Sequence, residues 1–570
     1  MKNKIIILLI AVCAMSCNKF LNEMPDNRAE LDSEVKLEQL MRSAYPTTEW
    51  FTVAEFTSDN IDECPHWFNN SDRFFEELFF WEESRTTANE SPTYIWGSNY
   101  SIIATANNVL QAIDSMGGPV TPKLRALKGE ALVVRAYGHF MLVNIFGQHY
   151  SPNHSETDMG IPYITEPETT LNPMYERGTV AEVYRKIEAD LLEGLPLIDD
   201  AIYNHPKWRF NQQAANTFAS RFFLFYQKWE EAAHYASLAL GSNPREFLRD
   251  HRAQSEIEFQ TDQWENNYIH SGNKCNFMLA AVHSSLGLTT GPYRYVTRFG
   301  HTSMVAFWET VCSRGPWGPW LSLTPGYPNY NTFWVAAGVY QGALNRVTNI
   351  FVPFLFEYTD PVAGIGYYRS VHVLFSAEEA LLNRAEANVM LGRINPALAD
   401  INLWVNNVIQ TPPNTANFPV RNVLTQQNII DWANSWEFYQ PDRPTPKKAI
   451  NPDFPLIELQ RQYMYTILHI RRHEFLNMGM RLFDVKRYGI EIERRKINGT
   501  GNVQQGSPPP IVDIELYSPN LIAGKRSPRL VIQIPPDVVS AGMPKNPTEA
   551  IPASSPPPSK LTTALLHRSL

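Results

Sequence analysis

The sequence predicts a mostly α protein, a stack of helical hairpins resembling tetratricopeptide repeats with long irregular loops inserted between them. Three observations predict it. Apolar residues recur at helical spacing in several segments. Those segments come as neighbours with almost no loop between them. The stretches that separate them are rich in aromatic, Gly, Pro and Asn residues, the composition of ordered surface loops.

Taken in order, the chain opens on Lys2 and Lys4, followed by the apolar run Ile5–Ala14, which is too short to span a bilayer. Ala14-Met15-Ser16-Cys17 then resembles a bacterial lipobox, so residues 1–16 are expected to be a lipoprotein signal peptide. Cys17 would carry the lipid, and residues 17–30 would be its tether. From Leu124 to Phe146, Leu127, Ala131, Val134, Met141, Leu142 and Ile145 mark a helix that Gly147 can stop. Ala126, Gly129, Ala136 and Gly138 are small enough to let another helix approach closely. Thr179 and Glu182 form a capping box ahead of the stripe Val183, Tyr184, Ile187 and Leu191.

The two best hairpins follow. Gln212–Tyr226 and Trp229–Leu240 nearly abut, and Gly241 closes the second. Ser376 and Glu379 cap a helix through Leu381, Ala385 and Val389 that stops at Gly392, and Asn395-Pro396 restarts the next one. Residues 50–100, 250–370 and 410–460 read as loops and short irregular elements. Arg529–Ile534 reads as strand-like, and residues 548–570 turn to Pro, Ser and Thr, the composition of a disordered tail. The expected layout is one domain over residues 31–547, with its ligand region mainly in 50–100 and 250–370.

Composition narrows the function. A net charge of −9 with no basic run is unsuited to displacing counterions from nucleic acid. Beyond Cys13 and Cys17, the cysteines Cys64, Cys275 and Cys312 are widely spaced. They suggest no zinc site and leave a Cys275–Cys312 disulfide open. His473-Glu474 begins like a zinc-protease helix, but Asn477 stands where the second histidine belongs. No GxSxG elbow, Walker loop or GxGxxG turn is present. No cofactor is expected, with a structural Ca²⁺ left open.

Four segments, in order, carry a family resemblance. Phe20-Leu21-Asn22-Glu23-Met24-Pro25 follows the candidate lipidated cysteine. The second is Leu127–Gly147, with Glu130-Ala131, Arg135-Ala136-Tyr137 and Phe146-Gly147. The third is Arg384-Ala385-Glu386-Ala387 with Leu391-Gly392. The most specific is Arg471-Arg472-His473-Glu474-Phe475 continuing to Arg481-Leu482-Phe483-Asp484-Val485-Lys486-Arg487-Tyr488-Gly489. Ile534-Pro535-Pro536 and Lys545-Asn546-Pro547 add a terminal match. Together they resemble the SusD/RagB family of nutrient-uptake lipoproteins. Met478 and Tyr488 depart from the family's usual acid and Trp.

The resemblance implies a SusD-like fold and non-catalytic capture of an oligosaccharide or polysaccharide at the outer cell surface. It also implies an outer-membrane lipid anchor and delivery of glycan to a SusC-like TonB-dependent transporter. Arg481, Asp484 and Arg487, three apart, read as a partly buried ion network that fixes the last helix.

Sugar binding fits the residue types as well. A pyranose stacks its C–H face on an aromatic ring and pairs its hydroxyls with polar side chains. The candidates are Trp67, Asn69, Arg73 and Trp81 in one cluster and Trp264, Trp317, Trp320 and Tyr330 in another. Gly315-Pro316-Trp317-Gly318-Pro319-Trp320 would hold its rings in a fixed loop. Trp96, Trp229 and Trp404 read as packing, and His139 as a satisfied structural histidine. Two other readings stay open. One is a secreted helical glycoside hydrolase, which needs two carboxyls about 5–10 Å apart. The other is a peptide-binding member of the same family.

Overall fold

The computed structural model describes residues 31–548, apart from 65–72, 88, 171–172, 258–260, 292–296, 312, 319–332, 336–337, 342–344, 350, 411–419, 436, 439–444, 447, 498–510, 518–519 and 523–524. Helices dominate. The first are α1 (Glu34–Met41), α2 (Phe51–Thr57), α3 (Arg73–Phe79), α4 (Pro92–Ser115), α5 (Pro122–Phe146), α6 (Val180–Gly194), α7 (Gln212–Phe225) and α8 (Trp229–Leu240). Four short helices follow: α9 (His251–Ser255), α10 (Thr261–Tyr268), α11 (Leu286–Thr290) and α12 (Ser303–Trp308). Then come α13 (Ala377–Met390), α14 (Ile394–Val408), α15 (Gln426–Asn434), α16 (Glu458–Glu474) and α17 (Met480–Tyr488).

The predicted hairpins stack as helical pairs: α4 on α5, α5 on α6, α7 on α8, α8 on α13 and α13 on α14. Their ends are set by the residues that the sequence supplies. Thr179 and Glu182 make both capping-box bonds at α6, and Ser376 caps α13. Glycine sets the closest approach. A Cβ on Gly129 would sit 2.8 Å from the Gly194 carbonyl oxygen, and one on Gly138 would sit 2.8 Å from the Ile103 side chain.

Buried arginine–carboxylate pairs tie these helices together. Arg135 holds Asp190 through two bonds of 2.6 and 2.7 Å. Arg209 holds Glu130 at 2.6 Å, Arg384 holds Asp400 at 2.6 Å, and Arg487 holds Glu386 at 2.6 Å. His139 is buried and neutral. Burial pushes its pKa down to about 3, and its ring nitrogens meet the Arg135 carbonyl and the Ile164 N–H.

The region expected to be loops over 250–370 also contains strands. These are β2 (Asn276–His283), β3 (Phe299–Gly300), β4 (Gly338–Gln341), β5 (Arg346–Asn349), β6 (Leu355–Asp360) and β7 (Ile365–Ser376). The order β2-β7-β6 makes an antiparallel sheet of three strands. Phe277 to Val282 is an apolar run buried almost throughout, so its strand character is hidden from a search for alternation. A second sheet joins chain segments far apart in sequence. β1 (Asp62–Glu63) lies between β3 and β10 (Ile492–Ile497), and β11 (Ile511–Tyr517) forms its edge. Two further two-residue strands, β8 (Glu437–Phe438) and β9 (Thr445–Pro446), pair with each other.

The strand-like stretch 529–534 is not a strand. Ile532 instead donates its N–H to the Ile145 carbonyl at the end of α5. That helix end draws in remote segments because its last carbonyls have no partners within the helix. Lys486 donates to Asn144 and Gly147 at 2.6 and 2.8 Å, and Asn546 donates to Phe146 at 3.0 Å. Burial pushes the Lys486 ammonium down to about 7, while the carbonyls and the negative helix end favour its charged form. Lys486→Met should therefore lower unfolding stability by about 2 kcal/mol, read from urea denaturation, because two buried carbonyls lose their donor.

Candidate functional site

The last helices are locked by buried charge. In α17, Asp484 pairs with Arg487 at 2.8 Å and with Arg471 of α16 at 2.9 Å. Arg481 departs from the expected trio and turns to Asp59, at 2.7 and 2.9 Å. Asp59 also meets Lys448 at 3.0 Å and Arg472 at 3.4 Å. Arg472, Lys448 and Arg495 converge on Glu309, and Arg495 reaches Asp62 at 2.9 Å. This network spans the α2–β1 segment, α16, α17 and β10. Helical spacing alone could not show it, because its acids come from distant parts of the chain.

The predicted sugar-contact residues separate. Cys17, Trp67, Asn69, Trp320 and Tyr330 lie outside the described residues, as does Cys312; Cys275 is buried and free. Trp264 is buried, with its indole N–H on the Ile257 carbonyl at 3.3 Å. Trp317 has 0% of its surface exposed. Its ring lies 5.5 Å from both Trp404 and His469 and 5.9 Å from Phe333.

The structure therefore corrects the expectation that Trp264 and Trp317 offer ring faces to a ligand. The Gly-Pro loop does hold Trp317 in place, but it folds the indole back over Gly315, where a Cβ would come within 2.3 Å of the ring. The large apolar ring gains more from the core than from water.

Arg73 opens α3 and Trp81 follows its end. Arg73 keeps an exposed guanidinium on α3 and bonds Glu77 at 2.8 Å. Trp81 is half-buried and donates its indole N–H to the Thr57 carbonyl at 3.2 Å. Its backbone has φ 55°, a left-handed conformation that non-glycine residues seldom adopt. The Arg494 guanidinium lies 4.4 Å from both the Trp81 and the Phe79 rings, so one Trp81 face is already occupied. Arg298 pairs with Glu63 and Glu76 beside them, and Phe80 is exposed against Phe299.

Three exposed rings that sequence reasoning missed are tyrosines on one ribbon. Beyond the end of β2, β6 and β7 continue as a two-stranded ribbon. Tyr358, Tyr367 and Tyr368 on it are 59%, 50% and 41% exposed. Register places Glu357 opposite Tyr367 and Leu355 opposite Arg369. One face therefore carries Tyr367 beside the Glu357–Arg369 ion pair, with the His283 ring 5.4 Å from Tyr367. His283 is only partly buried, and its Nδ1 has no partner. Burial and the nearby Arg369 charge lower its pKa, which keeps the imidazole neutral. The opposite face carries Phe356, Tyr358 and Tyr368, their rings 4.8 and 5.3 Å apart.

A flat ring flanked by an acid, a guanidinium and a neutral imidazole can stack on a pyranose and bond its hydroxyls. The signal was present as alternation in Leu355–Asp360 around the Asp360-Pro361-Val362-Ala363-Gly364 turn. Among the described residues, no group of three or more His, Cys, Asp or Glu is placed to hold a metal ion.

Comparison with known proteins adds the following. Residues 19–224 match the SusD-like_3 family model, described as starch-binding associating with outer membrane. No curated protein matches the chain. A putative sugar binding protein from Bacteroides vulgatus is similar in structure, with a TM-score of 0.60 and 18% identity over 91% of this chain and 99% of its own. A SusD-like carbohydrate binding protein from Bacteroides vulgatus gives 0.55 and 16% identity, over 90% and 97%. A SusD superfamily protein from Bacteroides thetaiotaomicron gives 0.54 and 15%, over 90% and 98%.

Proposed function

We propose that this chain is a SusD/RagB-type protein that binds an oligosaccharide or polysaccharide without cleaving it and passes it to a SusC-like outer-membrane transporter. The observation that carries the binding reading is the Tyr367 face of the ribbon, an exposed aromatic ring with Glu357, Arg369 and His283 beside it. The matching family's outer-membrane description supports a place at that membrane. Among the described residues no helix is long and apolar enough to cross a membrane, and attachment would be through lipid at Cys17. Transport would need a partner that spans the membrane.

The hydrolase reading draws less support. The cavity beside Glu474 holds about 20 Å³, space for a water or two and not for a pyranose.

The test is a glycan screen of the signal-free protein, with affinity measured by calorimetry for the native form and for Tyr367→Ala. Binding to one polysaccharide class, weakened about tenfold by the substitution (~1.4 kcal/mol) with the fold intact, is the expected result. Shortened glycan after prolonged incubation would overturn the non-catalytic reading. Binding of mixed peptides with no response to any glycan would replace the ligand class.

A further inference from the structure

The charges on the ribbon limit which sugars its Tyr367 face can take. From Leu355 to Arg369 the chain carries three charged side chains, Glu357, Asp360 and Arg369. Asp360 stands at the turn, where its carboxylate accepts the Val362 and Ala363 N–H groups at 3.0 and 2.9 Å. Glu357 and Arg369 are diagonal neighbours across the two strands, and the Arg369 Nε–H donates to the Glu357 carboxylate. The one cation of the ribbon is therefore already paired. His283 adds no second cation, because burial and the Arg369 charge keep its imidazole neutral. The opposite face, with Phe356, Tyr358, Gly366 and Tyr368, carries no charge.

The side chains of Glu357 and Arg369 are 55% and 30% exposed, so a sugar lying on Tyr367 can reach both. The pair offers an acceptor beside a donor. Neighbouring hydroxyls of a pyranose can each donate and accept, so a diol can bond the carboxylate and the guanidinium together while the C–H face stacks on the ring. A sugar carboxylate or sulfate can only accept. It gains Arg369 only by displacing Glu357, which then stays beside it as a like charge, with Asp360 adding to the repulsion.

On the reading of this face as a glycan site, we propose that Glu357 acts as a charge guard, holding Arg369 so that the Tyr367 face accepts neutral sugars with adjacent free hydroxyls and excludes uronates and sulfated sugars. An exposed ion pair contributes little to folding, so replacing Glu357 leaves the ribbon standing and exposes its effect on selectivity.

The experiment measures binding of the signal-free protein to matched polysaccharides: amylose with amylose oxidised to its polyuronate, galactan with polygalacturonate, and mannan with polymannuronate. Native protein, Glu357→Gln and Glu357→Gln/Arg369→Gln are compared at about 0.05 and 0.3 M salt, with melting temperature as the check on folding. The native chain should bind the neutral member of one pair about tenfold or more tighter than its acidic partner. Glu357→Gln frees the guanidinium and should raise affinity for the acidic partner about tenfold at low salt, with the gain shrinking at high salt. The double substitution should lose that gain. Tighter native binding of an acidic member, or an acidic-to-neutral ratio unchanged in Glu357→Gln, would overturn the guard while leaving the glycan reading in place. Binding of no polysaccharide of either kind would overturn both.

Discussion

Asp59→Asn is expected to lower the unfolding free energy by about 3–5 kcal/mol, seen as an earlier urea midpoint with an unchanged slope. The substitution keeps the side chain's volume, removes its charge and turns one of its two acceptor oxygens into a donor that faces cations. Asp59 is buried, and Arg481, Arg472 and Lys448 all lie against it. Burial alone would raise its carboxyl; the three cations outweigh that and hold it well below the usual carboxylate range. Without the charge, Arg481 loses its paired carboxylate while still enclosed, and the desolvation of its guanidinium goes uncompensated. The sign with pH follows. Stability from a depressed carboxyl is present above the ordinary value of 3.8 and lost as pH falls through the lower folded value. Native protein should therefore lose stability steeply below about pH 4, and Asp59→Asn should lose less over the same interval. Equal acid sensitivity in the two proteins would remove Asp59 from the centre of the network.

Trp317→Ala is expected to cost about 3–5 kcal/mol, the range for emptying a large ring from a core. The indole is enclosed by Trp404, His469 and Phe333, and its loop backbone accepts the Arg421 N–H at 2.7 Å, so the site has little freedom to collapse. This substitution separates core from ligand contact when set beside Tyr367→Ala. The folded fraction of Trp317→Ala should bind glycan with native affinity, whereas Tyr367→Ala should keep native stability and bind weakly. Weak binding by well-folded Trp317→Ala would return that ring to the ligand surface. Denaturation curves and calorimetry on the same preparations distinguish the outcomes.

The contrast between these two rings shows where sequence reading reached its limit. Helices and their ends were legible because their signals are local. Thr179 with Glu182, Ser376 with Glu379 and the stop at Gly241 are each contained within a few residues. The paired-helix architecture followed from the same spacing. An aromatic loop carries no such signal. Gly315 and Gly318 suit a turn whether Trp317 points outward or inward, and only the space between α14 and α16 makes inward the lower-energy choice. Conversely, Tyr367 has Arg369 two residues along its own strand but gains Glu357 and His283 from neighbouring strands, residues that adjacency in sequence does not bring to it.

Electrostatics divides in the same way. The spacing of Asp484 and Arg487 placed them within one turn of a helix, and they pair at 2.8 Å. Arg481 shares that spacing yet binds Asp59, 422 residues away. By itself, the sequence determined the mostly α class, the helical pairs, their caps and the family resemblance, because helix formation depends on interactions three or four residues apart. Only the tertiary structure decided which rings are core, which charges pair, and which remote segments close the end of α5. Each of those depends on desolvating a group against partners from distant parts of the chain, and the free energy of that exchange is defined only once they meet.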